Sequence, residues 1–184
     1  MSFTLSPDLD VAAAADRLAA TGRTRLHGLF GPGSAAVHAA MTDPAMLWNR
    51  AIRNPYNADV PVAVFENEPP EEQARLIGMA YAEATRYLPG HFLNGHTDEH
   101  EGAGRLYAYV LNVSPEWSAD WGGLLMFTDP DGQVAETFVP QFDTLNVFKV
   151  PAWHSVSMVA PYAAAPRLSI TGWWRINPPE AGQP

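Results

Sequence analysis

The chain has 184 residues, 47% hydrophobic and 17% charged, with no cysteine and a net charge of −9. These values fit one ordinary globular domain and exclude disulfides, thiolate metal sites, iron–sulfur clusters and cysteine nucleophiles. The acidic balance, with no basic run, argues against binding nucleic acid and reads otherwise as a solubilising surface.

In chain order, LSPDLDVAAAADRLAATG (5–22) reads as a helix capped by Ser6 or Asp8 and stopped by Gly22. RTRLHGLF alternates as a strand does, and GPGSAAVHAAMT (31–42) reads as a second helix. Segment 43–68 is less regular, holding Trp48 and the short apolar run PVAVFE. PPEEQARLIGMAYAEATRYL (69–88) predicts a helix, with Pro and Glu in its first turn and Leu76, Met79, Ala80, Ala84 and Tyr87 at helical spacing.

From residue 91 the pattern changes to short strands, predicted at 91–97, 105–113, 123–127, 144–149, 153–159 and 167–174. Turn material such as SPEWSADWGG, TDPDGQ and APYAAAP separates them. Helices followed by many short strands argue for an α+β, mainly β fold, a sandwich or jelly roll with helices bracing one face. No apolar run approaches the ~18 residues of a membrane span. The N-terminus lacks the basic and apolar regions of a signal peptide, so a cytoplasmic protein is expected.

The densest polar cluster is HFLNGHTDEH, residues 91–100. Residues two apart in a strand share a face, so His96 and Asp98 can reach one metal ion. His154, in FKVPAWHSVSMV, is the best third ligand. Two histidines and a carboxylate make the facial set of non-haem Fe(II) oxygenases, which leaves coordination positions open. Arg167 follows on the next predicted strand, alternating with Ser169 and Thr171. A guanidinium there offers a planar, permanently charged fork to a carboxylate. An open metal centre beside such a clamp suits a small dicarboxylic keto acid.

Other residues have plainer readings. Glu99 and His100 fall in a polar loop, and His91 reads as surface or as a neighbour of the ligands. Gly122 and Gly123 suit a tight approach to the next strand. Arg105 reads as a salt-bridge or surface residue, or as a second anion contact. Trp117, Trp121, Trp153, Trp173 and Trp174 read as packing residues, with Trp121 and Trp153 near the site.

From Tyr87 to Trp174 the chain resembles the 2-oxoglutarate/Fe(II)-dependent dioxygenases, and more narrowly their prolyl-hydroxylase-like branch. The resemblance lies in YLPGHFLNGHTDEHEGAGRLYAYVLN, WSADWGGLLMF, LNVFKVPAWHSV and PRLSITGWW, in that order. It implies a double-stranded β-helix braced by N-terminal helices, forming a single dioxygenase domain over 1–176. That domain would have a mixed helical part at 1–88, a jelly-roll core at 89–176 and a disordered tail at 177–184. It implies His96, Asp98 and His154 as ligands of Fe(II). Arg167, supported by Ser169, would hold the distal carboxylate of 2-oxoglutarate, and Tyr87 would lie beside that co-substrate. Relatives often carry a second tyrosine where this chain has Val110. Tyr107 and Tyr109 are close in sequence but fall on the other strand face unless a bulge intervenes.

The implied reaction consumes 2-oxoglutarate and O2 and hydroxylates an unactivated C–H bond. The resemblance favours a prolyl residue of a protein or peptide; a small free molecule or amino acid is the alternative. A non-enzymatic, cupin-like metal-binding module is a more remote reading, which the clamp at Arg167 opposes. Halogenation is disfavoured because Asp98 retains the carboxylate ligand. Neither nucleic acid nor membrane is expected as a partner.

Overall fold

The structure is a computed structural model that describes residues 4–53, 56–61, 81–99 and 104–176. Helix α1 spans Val11–Thr21. Its cap is Asp10, which accepts from the Ala13 N–H at 2.9 Å, rather than Ser6 or Asp8. Gly22 ends it with φ 74°, in the left-handed conformation that glycine adopts without steric cost. Helix α2 spans Gly33–Thr42 and has no side-chain cap of its own. Asp143 supplies acceptors instead, taking the N–H groups of Phe30 at 2.9 Å and Gly31 at 2.8 Å. This buried carboxylate ties the approach to α2 onto the β-structure.

Among the described residues eleven strands follow one another as β1 (Arg23–His27), β2 (Trp48–Arg53), β3 (Tyr56–Pro61), β4 (Tyr81–Tyr87), β5 (Phe92–His96), β6 (Arg105–Asn112), β7 (Leu125–Thr128), β8 (Val134–Phe138), β9 (Thr144–Lys149), β10 (His154–Val156) and β11 (Arg167–Arg175). The hydrogen-bonded order is β1-β9-β6-β11-β4-β3-β5-β10-β7-β8, with β2 on β3. Within β4 to β11 the pairing is nested: β4 with β11, β5 with β10, β6 with β9 and β7 with β8, all antiparallel. A long hairpin folded over on itself produces this pattern. The two halves face each other across a core that takes Ala108, Val110, Phe148 and Trp173 from one side and Leu125, Phe127 and Phe138 from the other. Full burial of side chains such as Phe127 and Phe148 stabilises the fold by about 1.5–3 kcal/mol each. On the outer face of the first half, Val37 and Met41 of α2 pack on Leu111, Val113 and Leu168, while α1 lies against β1 and β9.

The six strands expected from residue 91 onward are present, with small shifts of their ends. Residues 81–87 are a strand where the sequence predicts a helix. Seven residues of β4 pair with β11, from Tyr87↔Arg167 to Tyr81↔Trp173, and Thr85 and Tyr87 turn inward and are buried. Pairing and burial outweigh the helical preference of Ala, Glu and Arg. Residues 69–80, the rest of that predicted helix, lie outside the described residues, as do 62–66 of the run PVAVFE. Among the described residues no helix is long and apolar enough to cross a membrane.

Candidate active site

His96 closes β5, and His154 opens β10 directly opposite it. Val156 pairs with Leu93, so two steps along β10 match three along β5. The extra residue is a bulge at Asn94–Gly95, which reverses the parity of β5. Leu93 and His96 therefore both line the internal cavity, where unbroken alternation would put them on opposite faces. Asp98 lies past the end of β5, so the carboxylate is not delivered by the strand as the two-residue spacing suggests. It is nonetheless buried.

Ligand-capable atoms of His96, Asp98 and His154 lie within 4.8 Å of one another. The Nδ1 of His96 is 2.8 Å from the Asn94 carbonyl oxygen, and that of His154 is 2.9 Å from the Ala152 carbonyl oxygen. A carbonyl oxygen only accepts, so each Nδ1 carries a hydrogen and, in the neutral ring, each Nε2 offers its lone pair. Those Nε2 atoms face the two Asp98 oxygens at 3.5 Å and 3.6 Å. Burial lowers the pKa of His154 and keeps its ring neutral, against the pull of Asp98. Burial also pushes the Asp98 carboxyl up, but the neighbouring His96, His154 and Trp173 rings outweigh it and hold the group below its usual value. The two Nε2 atoms and the Asp98 carboxylate thus converge on one point, where a metal ion would replace any proton shared between them. N,N,O donors converging in this way suit a first-row divalent metal.

The aromatic wall behind the histidines is tight. Phe148 lies 4.7 Å and Phe127 6.2 Å from the His154 ring, centroid to centroid. Arg167, the first residue of β11, is 1% exposed. It donates from Nη1 to Ser169 Oγ at 3.1 Å and from Nη2 to Asn112 Oδ1 at 3.4 Å, and its guanidinium lies 5.1 Å from the centre of the Tyr87 ring. Its Nε has no hydrogen-bond partner, and no carboxylate among the described residues pairs with it. A buried guanidinium that meets only neutral groups is the complement of the triad: it calls for an anion. Ser169 is held in turn by Thr85 at 2.8 Å.

Gly123 explains how the Arg167 stem fits. Its φ is 63°, and a Cβ there would stand 2.9 Å from Arg167 Cδ and 3.2 Å from the Trp117 ring. This glycine thus shapes the clamp as well as the approach to β7.

Of the three candidate tyrosines, Tyr87 is buried against Arg167, and burial raises its pKa to about 12. Tyr109 borders the cavity, but its ring stacks on Trp174 at 4.8 Å, and Tyr107 pairs across the strands with the same tryptophan. Tyr87 is the one whose ring lies against the Arg167 guanidinium among the described residues, while Tyr109 shares the cavity wall with Val110. His91 is 2% exposed, so it is buried rather than on the surface. Trp153 is half exposed and lies over Gly95, and Trp121 packs edge-on against Trp117 at 5.3 Å. Glu99 is exposed, and His100 lies outside the described residues. Residue-by-residue reading missed Asn112 and Thr85. Both reach Arg167 or Ser169 across strands, and only the register reveals it.

The sequence profile of the 2OG-Fe(II) oxygenase superfamily matches residues 82–175, just over half of the chain. The chain belongs to that superfamily, a class of enzymes whose members use Fe(II), 2-oxoglutarate and O2. The convergent donors and the clamp fit these groups. Over 86 residues the chain is 36% identical to prolyl 3-hydroxylase OGFOD1 of Mus musculus, an alignment covering 43% of this chain and 15% of the relative. The chain therefore corresponds to a small part of that protein's length. A Pseudomonas putida prolyl-4-hydroxylase has a similar fold, with a TM-score of 0.66 and 24% identity over 90% of this chain and 98% of that one. A Trichoplax adhaerens prolyl hydroxylase, solved with a hypoxia-inducible-factor peptide fragment, gives a TM-score of 0.66 at 16% identity, covering 88% and 87% of the two chains.

Proposed function

We propose that this protein is a 2-oxoglutarate-dependent hydroxylase acting on a prolyl residue of a protein or peptide. One observation carries the reading: a converging set of metal-ligand atoms and a buried guanidinium with no counterion among the described residues share one cavity. His96 and His154, through Nε2, and the Asp98 carboxylate would hold Fe(II). Arg167 would take the distal carboxylate of 2-oxoglutarate, with the Ser169 hydroxyl beside it and the Tyr87 ring next to the guanidinium. When bound, Fe(II) with 2-oxoglutarate and O2 supplies an oxidation that replaces a C–H hydrogen by hydroxyl and releases succinate and CO2. The chain's own contribution is placement and dryness. Leu93, Val110, Leu125, Phe148 and Val156 line the cavity and limit water.

The nested pairing of β4 to β11 supports reading the fold as a double-stranded β-helix within one domain spanning 1–176. Its core then begins at Tyr81, earlier than the boundary at residue 89 that the sequence suggests. The prolyl hydroxylases among its relatives support the substrate class, and the cysteine-free composition supports a cytoplasmic location.

The test is to incubate the iron-loaded protein with 2-oxoglutarate, O2 and a degenerate peptide library bearing a central proline. Mass spectrometry should find one added oxygen on proline, with stoichiometric succinate. Hydroxylation of a free amino acid while every peptide stays unchanged contradicts the polypeptide reading.

A further inference from the structure

Strand β11 carries an arginine at each end, and both belong to one face. Its pairing with β4 is unbroken from Arg167 to Trp173, so residues two apart keep to the same side. Arg167, Thr171 and Trp173 line the cavity. Arg175 is the next residue in that row and stands at the opposite end from Arg167.

A bulge brings a second guanidinium beside it. Trp174 pairs with Tyr107 but Arg175 pairs with Arg105, so β6 uses two residues where β11 uses one. The shift leaves Leu106 exposed and turns Arg105 inward, with its guanidinium 3.9 Å from the centre of the Trp173 ring. Arg105 also donates from Nη1 to the main-chain oxygen of Asp98 at 3.0 Å, which puts this rim next to the metal-ligand cluster.

Like charges directly opposite each other destabilise a sheet. The chain has 11 Lys and Arg against 20 Asp and Glu, so two facing arginines are no by-product of a basic surface. The Asp98 carboxylate is turned to the two imidazoles. Among the described residues no carboxylate pairs with Arg175, and its Nε is buried without a hydrogen-bond partner. A carboxylate arriving from outside would relieve the repulsion and give that N–H an acceptor, and the planar fork of a guanidinium matches it.

We propose that Arg175, reinforced by the charge of Arg105, selects substrates that carry an acidic side chain within a few residues of the target proline. This deepens the polypeptide reading above and rests on it. The two arginines border the metal-ligand cluster, so an acidic residue close in sequence to the proline reaches them while the proline faces the metal. Their local charge also offsets the repulsion that a chain of net charge −9 exerts on an acidic peptide.

The experiment uses the full, iron-loaded chain with 2-oxoglutarate and O2. Peptides with a central proline are scanned with Glu, Gln or Lys at each flanking position, and kcat and KM are measured for each. Losing a hydrogen bond to a charged group costs roughly 10-fold to 150-fold in affinity, and a half-exposed rim belongs near the lower figure. Glu at one or two flanking positions should therefore lower KM about 10-fold relative to Gln, with kcat little changed. Arg175→Gln should erase that advantage, and Arg175→Glu should shift it to the Lys peptides. Lys149→Gln removes the same charge from the exposed side of β9 and should keep the Glu preference. If Arg175→Gln does not fold, Arg175→Lys decides, because losing the fork should raise KM for the Glu peptides several-fold. Wild type that is indifferent to Glu, Gln and Lys at every position overturns the proposal, as does a Glu preference that survives these Arg175 variants unchanged. Wild type that hydroxylates no peptide at all overturns the polypeptide reading and the proposal with it, a result distinct from hydroxylation that ignores charge.

Discussion

Replacing Arg167 by Met should weaken co-substrate binding severely without weakening the fold. In wild type Arg167 is 1% exposed, and among the described residues its guanidinium meets the Ser169 hydroxyl, the Asn112 carbonyl and the face of Tyr87. A carboxylate arriving there has no competing anion and little water to displace. Truncating one partner of such a buried charge pair costs about 2–5 kcal/mol, or roughly 30-fold to 4,000-fold in affinity. Near-complete burial puts Arg167 in the upper half of that range. Stability moves differently. The ligand-free protein carries an uncompensated buried charge, and replacing buried ionic groups by apolar ones of similar volume is neutral or stabilising by about 1–4 kcal/mol. Against this, Asn112 loses its 3.4 Å donor, at a cost of about 1 kcal/mol. The melting point without ligand should therefore hold or rise. Calorimetric titration of 2-oxoglutarate into the Mn(II)-loaded protein, with thermal melts of the ligand-free chain, reads both quantities. Unchanged affinity refutes the clamp. Affinity and ligand-free stability falling together would mean that Arg167 is a structural residue.

Gly123→Ala should reproduce part of that loss, because a Cβ 2.9 Å from Arg167 Cδ displaces the guanidinium. The positive φ adds strain of about 1–3 kcal/mol, so the melting point should also drop. Tyr87→Ala should weaken 2-oxoglutarate binding in the same titration, whereas Tyr107→Phe and Tyr109→Phe should leave it unchanged. The ligand-free protein should lose stability as pH falls below 6.5. Burial holds the folded His154 pKa below that unfolded value, so the unfolded chain takes up a proton that the folded chain refuses. One such proton gives a slope of at most about 1.4 kcal/mol per pH unit. Urea midpoints between pH 5 and 7.5 should follow this trend, with a shallower slope in His154→Asn; equal slopes would remove His154 as the cause.

Much of this was legible in the sequence, for identifiable reasons. Strands β6, β9 and β11 were legible as short runs bounded by turn residues, although burial along them does not alternate strictly because α2 covers Leu111 and Leu168 on the outer face. The strand at 81–87 was hidden because helix-favouring residues there owe their conformation to β11, 80 and more residues away. His96, Asp98, His154 and Arg167 could be found because their chemistry restricts which residue types serve. Asn112 and Thr85 could not, since neutral polar residues gain a role only from cross-strand register. Arg105 meets a main-chain carbonyl and an indole face, contacts that no charge pattern records.

The central claim, that one cavity holds Fe(II) and 2-oxoglutarate together, is tested most directly without oxygen. Anaerobic protein receives Fe(II) and then 2-oxoglutarate while its visible spectrum is followed. A weak charge-transfer band of the chelated keto acid should appear in wild type, vanish in His154→Ala and require far more 2-oxoglutarate in Arg167→Met. A folded, iron-loaded wild-type protein that shows no band at saturating 2-oxoglutarate would contradict it.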